Sequence, residues 1–213
     1  MTFDDFKVLA SKVENLELPG KKALFKMAPM ERVKELKDVD IKALNPREAA
    51  VTALFYPNKD NQTFLILILR KTYKGVHSAQ IGFPGGKVEP EDKDLKDTAK
   101  RETEEEVGVP YDDIQLIKKM TTAYIPPSNF NVHPFIGYLE DTPKLLKQDD
   151  EVEDIVLVDI DDFLNEDSLI EETLTTSYAT ELTVPAFHLN GHVVWGATAM
   201  MLSEIKTLFK QVL

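Results

Sequence analysis

The sequence predicts an α/β (α+β) fold, a mixed β-sheet with helices on its faces. Strand-sized apolar runs are scattered along the chain rather than gathered at one end. Two long helical segments are interspersed with them. At 43% hydrophobic residues, the 213-residue chain has enough apolar material for a substantial core. This length favours one domain, or one domain with an extension. We place an N-terminal helical extension, packed on the domain, at 1–45 and the domain itself at 46–213.

Phe3, Phe6, Leu9, Val13 and Leu16 recur at helical spacing, so 2–16 is expected to be an amphipathic helix, ended by Pro19-Gly20. A short helix is expected over 29–37, with Pro29 in its first turn. This region reads as packing or dimer surface, and a homodimer is one assembly it allows. Residues 49–56 read as a strand, 57–61 as a turn, and 63–70 as a strand buried on both faces. A basic loop over 71–75 leads to a short strand at 77–83. Pro84 and Gly85 then occupy the central positions of an expected type II turn. A helix is expected over 94–107, with Asp94 as N-cap, Asp97 in the capping-box position and Gly108 as C-cap. Leu95, Thr98, Ala99 and Thr103 are its core-facing residues. Further strands are expected at 114–122, 132–139 and 151–158, and a short helix at 159–165. Strands at 182–189 and 192–195 flank Asn190-Gly191, a two-residue hairpin signal. The chain closes with a helix over 197–212.

The net charge of −12 argues against nucleic acid as a partner, because phosphate contacts need lysine and arginine patches. No apolar run approaches the roughly 18 residues of a membrane span. The start of the chain, with Asp4 and Asp5, does not read as a signal peptide. With no cysteine, thiolate sites are excluded and a reducing, cytoplasmic location is expected.

Glu102, Glu105 and Glu106 stand at the C-terminal end of the expected 94–107 helix. Residues three and four apart are neighbours on a helix, where like charges cost about 0.2–0.5 kcal/mol per pair. The helix dipole disfavours acids at this end by roughly 0.3–1 kcal/mol each. A bound Mg²⁺ or Mn²⁺ would reverse both penalties, whereas a solvated glutamate face would simply tolerate them. Arg101 can pair with Asp97 or Glu105, either to orient a carboxylate or as an ordinary surface ion pair.

Here the chain resembles the Nudix hydrolase superfamily. That box runs Gly, five residues, Glu, seven residues, then Arg-Glu-U-x-Glu-Glu-x-Gly-U, where U is aliphatic. Arg101, Glu102, Thr103, Glu105, Glu106, Gly108 and Val109 match its second half, with threonine at the first U. The first half departs. Gly86 is followed by five residues and then Asp92, with eight residues before Arg101. An extended box of this kind resembles the coenzyme A pyrophosphatase branch, which carries a further motif upstream. Leu67-Ile68-Leu69-Arg70 and His77-Ser78-Ala79-Gln80-Ile81-Gly82-Phe83-Pro84-Gly85-Gly86 match that motif, with Ala79 in place of glycine. Trp195 to Ala199 and Asp150-Glu151-Val152 also look like segments of the branch.

The resemblance implies an αβα sandwich with a loop-helix-loop catalytic motif. It implies hydrolysis of the diphosphate of coenzyme A to 3′,5′-ADP and 4′-phosphopantetheine, with Mg²⁺ or Mn²⁺ as cofactor. Metal ligands would be Glu102 and Glu106, with Glu105 as a third ligand or as the base acting on water. Arg101 would belong to the catalytic set with Glu105, orienting a carboxylate. Glu151 is either a further ligand or a loop acid before a strand. Arg70, Lys71, Lys74 and Lys87 are the nearest basic residues, available to the substrate 3′-phosphate. His77, Gln80, Gly85 and Gly86 would shape the pocket, while Trp195 reads as core. The competing readings are hydrolysis of another nucleoside diphosphate derivative, such as ADP-ribose or a dinucleotide, and a catalytically silent binding module of the same fold.

Overall fold

A computed structural model describes residues 1–37, 39–72, 80–176 and 179–213. Helices α1 (Phe3–Glu14), α2 (Lys21–Leu24) and α3 (Met30–Lys37) precede strands β1 (Arg47–Pro57), β2 (Thr63–Arg70), β3 (Ile81–Gly82) and β4 (Gly85–Lys87). Helix α4 (Leu95–Val107) follows, then β5 (Gln115–Lys119), β6 (Ala123–Ile125), β7 (Phe130–Tyr138) and β8 (Val152–Asp159). Helix α5 (Ile160–Leu164), strands β9 (Leu169–Thr176), β10 (Ala179–Leu189) and β11 (His192–Trp195), and helix α6 (Gly196–Phe209) complete the chain.

Strand β1 is the spine of the fold. It pairs in parallel with β7 and antiparallel with β2 and β4, so the sheet is mixed, as the sequence predicts. Among the described residues this sheet has eight strands, with a path β3-β2-β1-β7-β5. Because side chains alternate across a strand, β1 feeds two cores. Ala50 packs with Ala99 of α4, and Leu54 and Tyr56 cluster with Val107 and Val109. Val51, Ala53 and Phe55 face the opposite way, into a larger cluster with residues of α1 and α6. The arrangement is therefore an αβα sandwich, with α4 on one face and α1 and α6 on the other.

The amphipathic pattern of α1 is used as read. Thr2 accepts the Asp5 N–H at 3.2 Å as N-cap, and Phe3, Phe6, Leu9 and Val13 are buried. Phe6 lies 4.9 Å from the Phe55 ring, which lies 5.6 Å from Phe209. Burying such a side chain stabilises the fold by about 1.5–3 kcal/mol. These rings tie the N-terminal residues to the sheet and to α6. Trp195, expected in the core, is only half-buried, at the N-cap of α6.

A second sheet, in the order β11-β10-β9, stands beside the first. Its Asn190-Gly191 turn has φ of 45° and 78°, the double positive φ that a two-residue hairpin requires. Strand β9 has no clean apolar alternation because it is an edge with exposed Glu171 and Thr173. The expected strand 114–122 stops at Lys119 as β5, and a strand not expected, β6, follows beyond its expected end and pairs separately with β7.

Glu204 of α6 is fully buried. Its carboxylate accepts the Gly20 N–H at 2.9 Å, the Thr121 N–H at 3.1 Å and the Thr121 hydroxyl at 2.5 Å. Buried donors left without an acceptor cost about 1–3 kcal/mol each. We therefore expect Glu204→Ala to lower stability by about 3 kcal/mol, which in a chain of this size is roughly 6–12 °C in Tm. Thermal unfolding followed by circular dichroism checks this, and an unchanged Tm would show that the three donors find other partners.

Candidate active site

The loop before α4 is built on two glycines, Gly85 closed to a side chain by neighbouring backbone and Gly86 facing the Glu102 carboxylate. Gly85 has φ of 144°, and a Cβ there would stand 2.4 Å from the Ala50 carbonyl oxygen. The positive φ fits the expected proline–glycine corner. At 144°, however, it is far more extended than the roughly +80° of a type II turn, because Gly85 already pairs with Val51 as the first residue of β4. At Gly86 a Cβ would meet the Glu102 carboxylate at 2.4–2.6 Å. The box glycine thus forms the floor on which Glu102 lies.

Helix α4 starts and stops where its sequence says. Asp94 caps it by accepting the N–H groups of Lys96 at 2.7 Å and Asp97 at 2.9 Å. Asp97 reaches back to the Lys93 N–H at 2.9 Å, one residue earlier than a capping box would have it. Gly108 closes the helix at φ 74°. The last carbonyls also have partners, since Val107 accepts from Leu146 N–H at 2.9 Å and Glu106 from Gln148 N–H at 3.1 Å. The segment after the helix end thereby carries Glu151, whose N–H donates to the Gln148 side chain at 2.7 Å. The Glu151 carbonyl accepts from Lys71 N–H at 2.9 Å, next to Arg70.

The expected Asp97–Arg101 pair does not form, because Asp97 is taken by Lys93 N–H and by the Tyr111 hydroxyl at 2.6 Å. Arg101 instead grips Asp92 in a two-pronged bond, Nε to Oδ1 at 2.8 Å and Nη2 to Oδ2 at 3.0 Å. The same guanidinium reaches Glu102 at 3.0 Å, Glu105 at 3.1 Å and the Lys87 carbonyl at 3.2 Å. Asp92 is held well below the usual carboxylate range, chiefly by Arg101. The extra residue between Asp92 and Arg101 therefore still delivers an acid to the box arginine.

Burial decides the character of the three glutamates. The side chains of Glu106, Glu102 and Glu105 are 3%, 13% and 55% exposed. Burial raises the Glu106 pKa to about 7, opposed by Arg70 and the Gly85 N–H and reinforced by Glu102 and Glu151. Burial likewise raises Glu102, against the pull of Arg101 and with Glu105 and Glu151 adding to the rise. Glu151 thus belongs electrostatically to the group. Arg70, expected to meet a substrate phosphate, is turned inward. Its guanidinium donates to Glu106 at 3.4 Å and to the Gly85 carbonyl at 2.9 Å. Glu106 also accepts the Gly85 N–H at 2.7 Å, so loop, strand β2 and helix meet on one carboxylate. Lys87 is exposed at the end of β4 and Gln80 is half-buried beside Arg70, whose N–H donates to the Gln80 carbonyl at 3.0 Å. His77 and Lys74 lie outside the described residues. The inward turn of Arg70 and the Asp92 clamp were not readable from the sequence, which offers only an arginine before a loop and an acid out of register.

Among the described residues, no three acid or histidine side chains stand close enough to hold one metal ion as they are placed. The guanidiniums of Arg101 and Arg70 occupy the facing oxygens. The donor set still fits a hard divalent cation in kind. It offers carboxylates whose pKa values are raised by burial and by neighbouring acids, and a glycine floor that leaves Glu102 its space. Glu102 and Glu106, with Glu151 beside them, are the residues that would hold such an ion.

A family model described as NUDIX domain matches residues 46–176, more than half of the chain. Nudix hydrolase 3 of Caenorhabditis elegans is 27% identical over 164 residues, covering 70% of this chain and 68% of that protein. Nudix hydrolase 15, mitochondrial, of Arabidopsis thaliana is 30% identical over 164 residues, covering 74% and 56%. The peroxisomal coenzyme A diphosphatase ndx-8 of C. elegans is 28% identical over 138 residues, covering 64% and 59%. The chain thus spans little more than half of the length of the latter two. The crystal structure of the Nudix hydrolase RenU from M. Smegmatis superposes with a TM-score of 0.55 at 13% identity, over 79% of this chain and 88% of that one. This last likeness is one of fold. No described helix is long and apolar enough to cross a membrane.

Two outcomes follow from this geometry. Asp92→Asn is expected to cost about 3 kcal/mol at pH 7, the low end for breaking one partner of a buried pair. Because folding lowers the Asp92 pKa, its contribution is present above the unfolded value of about 3.9 and is lost as pH falls below it. The stability gap between wild type and Asp92→Asn, measured by urea titration, should therefore narrow from pH 7 to pH 3. Gly86→Ala should displace the Glu102 carboxylate. It should weaken Mn²⁺ binding, read by calorimetry, at least tenfold while the far-ultraviolet circular dichroism stays unchanged.

Proposed function

The chain belongs to the NUDIX domain family and is a pyrophosphohydrolase, and we propose that within it the reaction is hydrolysis of the diphosphate of coenzyme A or an acyl derivative. The observation that carries the reading is the meeting of Glu102 and Glu106 with the Gly85–Gly86 loop at the end of α4. Mg²⁺ or Mn²⁺, when bound, supplies charge neutralisation at the phosphoryl oxygens and a lower pKa for a bound water. Glu102 and Glu106 would hold the ion, with Glu151 as a candidate ligand from outside the box. Glu105 has the most solvent access of the three and is steadied by Arg101. It takes the proton of the attacking water as the P–O–P bond breaks, leaving 3′,5′-ADP and 4′-phosphopantetheine. Arg101 positions the catalytic acids against Asp92, and Arg70 positions Glu106.

The choice of coenzyme A rests on the segment from Arg70 to Gly86, which resembles the upstream motif of that branch, and on the likeness to a relative named as a coenzyme A diphosphatase. Lys87, Gln80 and His77 are the residues we assign to the substrate, with the glycine loop against its diphosphate. The catalytic domain is 46–213, and 1–45 is an extension sharing its core. A chain without cysteine fits a reducing compartment, and the cytoplasm is the one this reading assigns.

The test is a substrate panel. The protein is incubated with Mg²⁺ or Mn²⁺ and coenzyme A, acyl-coenzyme A, ADP-ribose, NADH or dinucleoside polyphosphates, and the products are identified. Coenzyme A is expected to give 3′,5′-ADP. Turnover of ADP-ribose without coenzyme A would overturn the substrate, and no turnover at all would overturn the enzyme. Glu105→Gln and Glu106→Gln are each expected to lower kcat by at least a hundredfold with an unchanged fold.

A further inference from the structure

Arg70, Gly85 and Glu106 close a ring of hydrogen bonds. The Arg70 Nη2 donates to the Gly85 carbonyl at 2.9 Å and its Nη1 to Glu106 Oε1 at 3.4 Å. The Gly85 N–H completes the ring by donating to Glu106 Oε2 at 2.7 Å. Oε2 is thus committed to the loop, and Oε1 is the oxygen of Glu106 that meets a cation. The cation standing on it is the guanidinium. Carboxylate and carbonyl oxygens are the donors that Mg²⁺ and Mn²⁺ prefer. One arginine fork therefore covers two oxygens of the kind a hard divalent ion takes.

The two arginines of the acidic group are not held alike. Arg101 is anchored to Asp92 at 2.8 and 3.0 Å, outside the set of acids that would hold an ion. It keeps its place whatever happens at Glu102 and Glu105. Among the described residues, the carboxylate that Arg70 meets is Glu106 alone. That contact, at 3.4 Å, is longer than the roughly 2.7–2.9 Å of a strong charge-assisted bond. The Arg70 side chain is also 26% exposed against 3% for Glu106, so the arginine has solvent to retreat into and the carboxylate has none. Two cations on one carboxylate oxygen repel at close range, and in a partly buried site water screens them little. Of the pair, Arg70 is the member that yields.

We propose that Arg70 and the divalent ion take turns on Glu106: the guanidinium gives up Oε1 for the ion to bind, and Arg70 thereby sets how tightly the site takes its metal. Arg70 then positions Glu106 only until the ion arrives, after which the ion and the Gly85 N–H hold that carboxylate. The inference rests on the metal site proposed above. Its test is Mg²⁺ binding to the full chain, read by calorimetry at pH 8, above the value of about 7 to which burial raises Glu106. Arg70→Gln is expected to bind Mg²⁺ at least threefold more tightly than wild type. Lys87→Gln, which removes an exposed charge nearby, should change the affinity less. If Arg70→Gln does not fold, the wild-type chain decides. The ¹⁵N signals of the Arg70 Nη groups, separate while the fork is held, should merge as Mg²⁺ saturates the site, because the freed guanidinium rotates. Equal or weaker binding by Arg70→Gln, an equal gain in Lys87→Gln, or Nη signals that stay separate at saturation each overturn the exchange. No binding of Mg²⁺ to wild type overturns the metal site itself, and the exchange with it.

Discussion

A single guanidinium holds the candidate active site together. Arg101 binds Asp92 with two prongs and reaches Glu102, Glu105 and the Lys87 carbonyl with the rest of its fork. It therefore joins the glycine strand, the loop before α4 and the last turns of α4. Only arginine carries five donors in a fixed plane, so lysine could not serve four partners at once. The fork also offsets the repulsion that acids at the end of a helix create. The fold can thus keep Glu102 and Glu105 side by side in the absence of any other cation. Arg70 does the same for Glu106, from strand β2.

Much of this was legible in the residues. Caps gave the limits of α4 to within a residue, since Asp94 and Gly108 act through their own backbone neighbours and need no distant partner. The branched run from Thr63 to Arg70 matches β2 residue for residue, because a strand buried on both faces has no alternation to confuse it. The hairpin at Asn190-Gly191 was equally local. Pairings set by tertiary approach were not legible. Asp97 goes to Tyr111 across the helix end rather than to its neighbour four residues on. Arg70 turns inward because the Gly85 carbonyl and Glu106 converge on it. The exposed edge strand β9 and the short β6 exist through their partners, β10 and β7, and leave little trace of their own.

The spine strand β1 divides the molecule sterically. One of its faces carries α4, whose carboxylates are gripped by Arg101 and Arg70. Behind the other lie α6 and the aromatic rings that anchor α1.

The backbone bonds from Leu146 and Gln148 to the last carbonyls of α4 give Glu151 a particular status. It is not a side chain on an independent loop that drifts toward the helix. Its segment is hung from the helix end, so the spacing between Glu106 and Glu151 is written in main-chain hydrogen bonds. Anything that draws Glu151 inward also pulls on the final turn of α4 and on the Gly108 cap. The position of Glu151 and the integrity of that helix end are therefore tied to one set of backbone bonds.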